Sequence, residues 1–527
     1  MTTTVPLQLL SVHLATTGLT GPQAMLRQYS RLERQPLASE LPFAGELYLK
    51  PTTSRTPPWV AFLRPGVHGL GTLRTRSQSA VLLVRASRRT FAITFGHGSA
   101  ILLPGAFEAD FGIRTVLNSI EPSRIRSVDA NSFEELPRVA RVQTSRAGWL
   151  DSFGFDVERD VLRAVTGEPD DSSLCKRLTG RDGVLAVQAR VTLDNVGELC
   201  SRLLRQYRMT HYQSQFPWFD HLRKVRDHGQ LASLDTALIE QISRDPSHVR
   251  AGALEVQDMV ALTGYTATLL GRFTHPDLPL TEYLSARKSR GGVTLEALRR
   301  DEFVAMRAED GLPANRWSIY QCLQAEIPKG DRVHVLSGGS WFTVAKAFTE
   351  RIREEIAATP EVGLGLPDAH PGEHECAYNA RAVLVGQRAL LDQKLVRCNG
   401  PRTEIEVCDL LTTSGQFIHV KRRGSSGVFS HLFAQGRNSA QAFLEEPAFR
   451  EGIRERLKSL DASLIGVIPT ARPETNGFTV VFAVVDKRNV PVAGGLPFLS
   501  QITLAQSLRY LRGVGFRVAL TRIGVSV

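Results

Sequence analysis

The chain has 527 residues, 42% of them hydrophobic and 22% charged, with a net charge of +11 at pH 7. That length exceeds one ordinary core, so two to four domains are expected, and the composition excludes a disordered chain. No run approaches the ~18 consecutive apolar residues of a membrane span, so a membrane partner is not expected, and a basic chain of this kind is expected to meet nucleic acid in the cytoplasm.

In chain order, the opening MTTTVPLQLLSVHLATTG lacks a basic leader segment and reads as a strand, not a signal peptide. GELYLKP and WVAFLRP are strand candidates closed by Pro, and Ala80–Gly98 reads as a hairpin about a Ser-Arg-Arg turn. His97, between two glycines, is expected as a turn residue at a strand end. The small, polar VQTSRAGWLDSFG closes a β-rich N-terminal domain over residues 1–150. A mixed α/β domain is expected over 151–365. In it GVLAVQARV is a strand, and LDNVGELCSRLLRQYR has the apolar spacing of an amphipathic helix starting near Thr192 or Asp194. RQYRMTHYQSQFPWFDHLRKVR interleaves arginines with Tyr207, Tyr212, Phe216, Trp218 and Phe219. Such a pattern can stack bases, but a face packed on a core is the expected use. Val333–Ile356 reads as two short strands joined at Gly338-Gly339 and then a helix; it lacks the long glycine run and lysine of a phosphate loop. The six cysteines form no C-x-x-C pair, which fits reduced, mostly buried thiols.

The Gly/Pro-rich joint Gly363–His374 opens a C-terminal domain, 366–527. HECAYNARAVLVG is a helix candidate carrying Glu375 and Asn379. ALLDQKLVR is a strand with Asp392, CNGP a turn, TEIEVCDLL a strand with Asp409, TTSG a turn, and QFIHVKRR a strand with His419 and Lys421. SSGVFSHLFAQGRNSAQAFL then reads mostly as helix, and ASLIGVIPT and FTVVFAVVD as strands. The order is α-β-β-β-α-β. Period 2 places His419 and Lys421 on one face, and antiparallel pairing through a short turn brings Asp409 within reach. An acid, a possible metal ligand and a lysine then converge, as divalent-metal chemistry on phosphodiesters requires. Lys421 is one of only ten lysines among 64 basic residues, and a compact ammonium differs from a guanidinium beside a reacting phosphate.

This order, with Asp409 on the second strand and His-x-Lys on the third, resembles the PD-(D/E)XK nuclease superfamily over residues 374–486. The resemblance implies a restriction-endonuclease-like core, Asp409 as metal-binding acid, Lys421 as catalytic lysine and Glu375 as the first-helix glutamate. It implies auxiliary polar residues at His431 and Gln435, one turn apart on the following helix. His419 departs from the pattern, which has Asp or Glu there; histidine ligates softer ions than Mg²⁺, so Mn²⁺ is an alternative. Asp392 is the better spare ligand. Glu406, three residues from Asp409, faces the other way in a regular strand and needs a bulge to join. Arg422, Arg423, Ser425 and Ser426 are expected to hold the nucleic-acid backbone.

At full length the chain also resembles a sporadically distributed bacterial family of unknown function. FGHG with DFGIRTVLN, the FPWFD segment, Tyr378-Asn379 and EVCDLL…HVKR…SHLFAQG carry that likeness. A patchy distribution implies a role in phage defence or mobile elements. Three readings stay open: a Mg²⁺- or Mn²⁺-dependent nuclease, whose first two regions choose the target or restrain cleavage; a non-catalytic nucleic-acid binder with a degenerate core; and, with no sequence feature to locate its pocket, a regulatory module binding a small ligand between the first two regions. DNA or RNA as target, and assembly with further copies of the chain, are left open.

Overall fold

The computed structural model describes residues 5–526 apart from 6, 58, 59, 61, 62, 65, 68, 104, 133–137, 159, 272, 394, 398–403 and 425. The fold is mixed α/β with several antiparallel sheets. The first is ten-stranded and runs from Leu7–Leu14 to Val184–Arg190, past residue 150. Its first strand lies in mid-sheet, antiparallel to Arg89–Phe95 on one side and Val184–Arg190 on the other. That long-range pairing draws the stretch after Gly148 into the N-terminal unit. The hairpin expected at Ala80–Gly98 is present, with Ser87 and Arg88 both at positive φ (49° and 62°), as a two-residue turn between twisted strands requires. His97 sits between the strand Arg89–Phe95 and the single turn Gly98–Ile101. The helices Phe111–Leu117 and Val196–Arg208 cover one face of the sheet. Gly112 permits the contact: a Cβ there would lie 2.0 Å from the Val184 carbonyl oxygen. Tyr207, Tyr212 and Phe216 are buried in this core and Trp218 and Phe219 pack against it, so the aromatic stretch is spent on packing.

The middle unit holds a five-stranded sheet and a three-stranded sheet. The unit includes α1 (His228–Arg244), β1 (Val249–Ala251), β2 (Leu323–Lys329) and α2 (Lys346–Ala357). The Gly338-Gly339 turn is present between Arg332–Ser337 and Ser340–Val344, with both glycines at positive φ.

The C-terminal unit begins with α3 (Glu375–Val383). There follow β3 (Arg388–Leu390), β4 (Leu395–Arg397), β5 (Glu404–Glu406), β6 (Leu410–Thr412), β7 (Gln416–Arg422), α4 (Ser426–Glu445), α5 (Pro447–Leu460), β8 (Thr479–Val485), α6 (Phe498–Gly513) and β9 (Arg517–Ile523). The main sheet is ordered β3-β6-β7-β8-β9; β3, β6 and β7 are antiparallel, and β7, β8 and β9 are parallel. The central parallel strand β8 is apolar after its first residue because both its faces are covered, and β7 is buried from Phe417 to Val420. Ile418 and Val420 pack with Tyr378 and Ala382 of α3, while Phe417 and Phe482 pack with Phe429, Phe433 and Phe443 of α4. The second core also takes in Phe348, Ile352 and Ile356 of α2, so the middle and C-terminal units share apolar packing. The joint between them runs beside β9, with parallel bridges Glu361–Leu520 and Ala369–Val525 and hydrogen bonds from the Val362 and Ala369 N–H groups.

The two strands expected at 389–397 and 403–411 are each broken. Their first and last segments, β3 and β6, stay in the main sheet, while β4 and β5 form a separate two-stranded ribbon. The break coincides with Gln393 at φ 57°. The turn at 398–401 lies outside the described residues. Helix α5 supports the ribbon: Leu391, Val396 and Val407 share a core with Phe449, Ile453 and Leu457. At Gly452 a Cβ would lie 2.3 Å from the Val396 Cγ1. Gly452→Ala is therefore expected to cost about 1–3 kcal/mol by overpacking, which chemical denaturation checks.

Candidate metal-binding site

The broken hairpin decides which side chains meet. In a continuous strand Glu406 and Asp409 face opposite ways. Here the pairing leaves the ladder between β5 and β6, where Val407 and Cys408 turn into the core. Backbone bonds anchor the far side of the break: Asp409 N–H donates to the Ile418 carbonyl (3.0 Å), and Leu391 N–H to the Asp409 carbonyl (2.9 Å). Across the hairpin, Asp392 lies two residues after β3 and precedes the Gln393 kink. The outcome is a group of three carboxylates, Asp392, Glu406 and Asp409, with ligand oxygens within 4.8 Å of one another.

Each acid is oriented. Asp409, 6% exposed, accepts from the Asn379 Nδ2 of α3 (3.1 Å) and from the Val420 N–H (2.6 Å). Glu406 accepts from the Gln393 N–H (2.7 Å) and from the Gln435 side chain of α4. Glu375, the first residue of α3, accepts from Lys421 Nζ (2.7 Å) and from the Arg422 N–H (3.0 Å). Burial pushes the Asp409 carboxyl well above the usual carboxylate range; the Val420 N–H opposes this, and the charges of Glu406, Asp392 and Glu375 add to it. Three acids thus gather at the hairpin break, and a fourth, Glu375, acts on Asp409 and pairs with Lys421. The triad offers only oxygen, the donor chemistry of Mg²⁺, Mn²⁺ and Ca²⁺. Mutual repulsion among its carboxylates is what a bound cation relieves.

Of the residues picked out in the sequence, Glu375, Asp392, Asp409, Lys421 and Gln435 are brought into this neighbourhood. His419 is not part of the acidic group. It is fully buried, with its ring 6.2 Å from that of Phe482 and neither ring nitrogen hydrogen-bonded. Burial lowers its pKa to about 3, so it is a neutral core residue. Arg422 donates to the Glu373 carbonyl (2.5 Å), and Arg423 to Asp486 (3.2 Å) and the Gly495 carbonyl (2.6 Å), so both guanidiniums have protein partners. His431 is exposed on α4. Ser425 lies outside the described residues, and Ser426 opens α4. Asn379, fully buried, was visible in the sequence only as a polar residue on the helix; it holds the Asp409 carboxylate. Glu406 joins through the kink, the irregularity its position demanded. Cys376 is exposed, whereas Cys175, Cys200, Cys322 and Cys408 are buried free thiols. Among the described residues no helix is long and apolar enough to cross a membrane.

A model of a family of unknown function, DUF6119, matches residues 10–524, and the chain belongs to that family. No curated protein and no solved structure matches it.

Proposed function

We propose that the C-terminal unit is a divalent-metal-dependent nuclease that hydrolyses nucleic-acid phosphodiesters, with Asp392, Glu406 and Asp409 holding the ion. The observation that carries this reading is the convergence of three carboxylates at the hairpin break, beside the Lys421–Glu375 pair. An ion bound there supplies Lewis acidity toward a phosphate oxygen. The protein's own groups do the rest. Asn379 and the Val420 N–H fix the Asp409 carboxylate, and Gln435 fixes Glu406. Glu375 holds Lys421 in place, where its ammonium stabilises negative charge developing on the phosphate. The order of one helix, three antiparallel strands, helices and a parallel strand supports a restriction-endonuclease-like core, and the net charge of +11 suits a polyanion.

One observation favours the second reading, a core that binds nucleic acid without cutting it: His419, where the resembled pattern carries an acid, is sealed away from the triad. Cleavage of plasmid, linear duplex, single-stranded DNA and RNA with Mg²⁺ or Mn²⁺ separates the two. The nuclease reading expects cleavage by wild type and a loss of about 100-fold or more in Lys421→Ala, the scale of removing one preorganised stabiliser of transition-state charge. Salt-sensitive binding without cleavage, unchanged in that variant, would leave a reader of nucleic acid.

A further inference from the structure

A second region of the molecule is built for an anion. Between α1, β1 and β2 of the middle unit and the loops that follow β7 and β8 lies a cavity of about 1040 Å³. That is at the upper end of the range for small-molecule pockets. Five arginines from five separate elements line it: Arg244 at the end of α1, Arg250 on β1, Arg353 on α2, Arg423 after β7 and Arg488 after β8. The acids on its wall are Glu240, Asp245 and Glu326. Asp245 is occupied by the N–H (3.0 Å) and hydroxyl (2.6 Å) of Ser247. Glu326 accepts the Phe498 (2.5 Å) and Leu499 (3.0 Å) N–H groups at the start of α6, with the charges of Arg250 and Arg353 acting on it. Five arginines thus stand against these three acids and Asp486, which pairs with Arg423 and Arg488.

The arginines are also positioned. Arg423 and Arg488 both donate to Asp486 and to the Gly495 carbonyl, which fixes one wall of guanidinium groups. Gln501, 4% exposed and lining the same cavity, donates to the Leu496 carbonyl, and its Oε1 has no partner. Planar guanidiniums converging on a concave space suit phosphate oxygens, which they bind with two parallel hydrogen bonds. The apolar part of the wall, with Ile327, Pro328, Leu496 and Phe498, suits a flat organic group beside them.

We propose that this cavity binds a phosphate-bearing ligand of nucleotide size. The proposal stands on the cavity alone and does not rest on the acidic site. Calorimetric titration of the full chain in EDTA tests it, with ATP, tripolyphosphate, adenosine and a single-stranded oligonucleotide as separate probes. ATP and tripolyphosphate are expected to bind and adenosine not to. Arg353→Gln, on the exposed side of α2, and Arg250→Gln are each expected to weaken ATP about tenfold or more, the scale of one charge-assisted hydrogen bond. Asp409→Asn is expected to bind ATP as wild type does, whatever happens to cleavage. Equal binding of adenosine and ATP, binding of the oligonucleotide alone, no binding of ATP at millimolar concentration, or unchanged affinity in both folded arginine variants would each overturn the proposal.

Discussion

Asp409→Asn is expected to abolish divalent-cation affinity while leaving the metal-free fold at least as stable as wild type. The substitution keeps the shape and removes the charge. The new amide oxygen accepts the Val420 N–H that Asp409 accepts now. Its NH₂ meets Asn379, and a half-turn of the Asn379 amide turns the unpartnered Oδ1 toward it, exchanging the bond Nδ2 now donates for one that Oδ1 accepts. In wild type the Asp409 carboxyl is raised in the folded state by burial and by three neighbouring acids. The folded protein therefore holds that proton more tightly than the unfolded chain. Stability then falls as pH rises from the ordinary carboxylate range toward the folded pKa, and the variant lacks this slope. A cation displaces the proton, so wild-type affinity rises with pH over the same interval. At a cation concentration of about 100 times Kd, wild type gains about 2.7 kcal/mol and the variant nothing. Melting curves with EDTA and with Mn²⁺, from about pH 5 to about pH 8, measure all of this. A cation-induced shift of equal size in the variant would remove Asp409 from the site.

His419→Leu is expected to stabilise the protein and to leave cation affinity untouched. Both ring nitrogens are buried without partners, and such orphaned groups cost about 1–3 kcal/mol each. Leucine fills a similar volume among Phe433, Phe482 and their neighbours with nothing to satisfy. The pH dependence has a definite sign. The folded pKa of about 3 lies below the ordinary value of 6.5, so the unfolded chain takes up a proton first. Stability is full above pH 6.5 and drains away as pH falls toward about 3. The gain from the substitution is therefore largest in acid. His13, lowered to about 4 by burial, leaves a weaker acid slope in the variant. Urea titrations at about pH 5 and about pH 7.5 resolve the difference. A variant that loses Mn²⁺ affinity would put His419 back among the ligands.

Much of the fold was legible where a local rule governs. Glycine pairs and apolar runs announced the Gly338-Gly339 turn, the hairpin at Ala80–Gly98 and the strands β7 and β8. The helix Val196–Arg208 followed from spacing alone. The course of Leu7–Leu14 through the middle of a ten-stranded sheet was not legible, because its partners lie about 80 and 180 residues away and no local pattern encodes that closure. The site was half legible for the same reason. Asp409 and Lys421 stand at positions a regular hairpin brings together, and Glu375 opens the helix that packs on it. Glu406 depends on a kink at Gln393, a residue type that rarely takes positive φ, and on Gly452 of a helix some 50 residues later. The alternation rule placed His419 beside Lys421, but it could not say that the covering helix seals the strand at residue 419 and releases it at residue 421.

The joint at Glu361–Ala369 runs along β9 like a narrow sixth member of the main sheet. It is the lid on an otherwise open edge. A fragment starting at Glu375 would bare the Leu520 N–H and C=O that the joint now pairs and, with α2 gone, the apolar side of α6 as well. Such an edge templates strand addition between molecules. The C-terminal unit is thus guarded against self-association by the segment that tethers it, and protease treatment that frees the unit is expected to yield aggregate in place of an isolated domain.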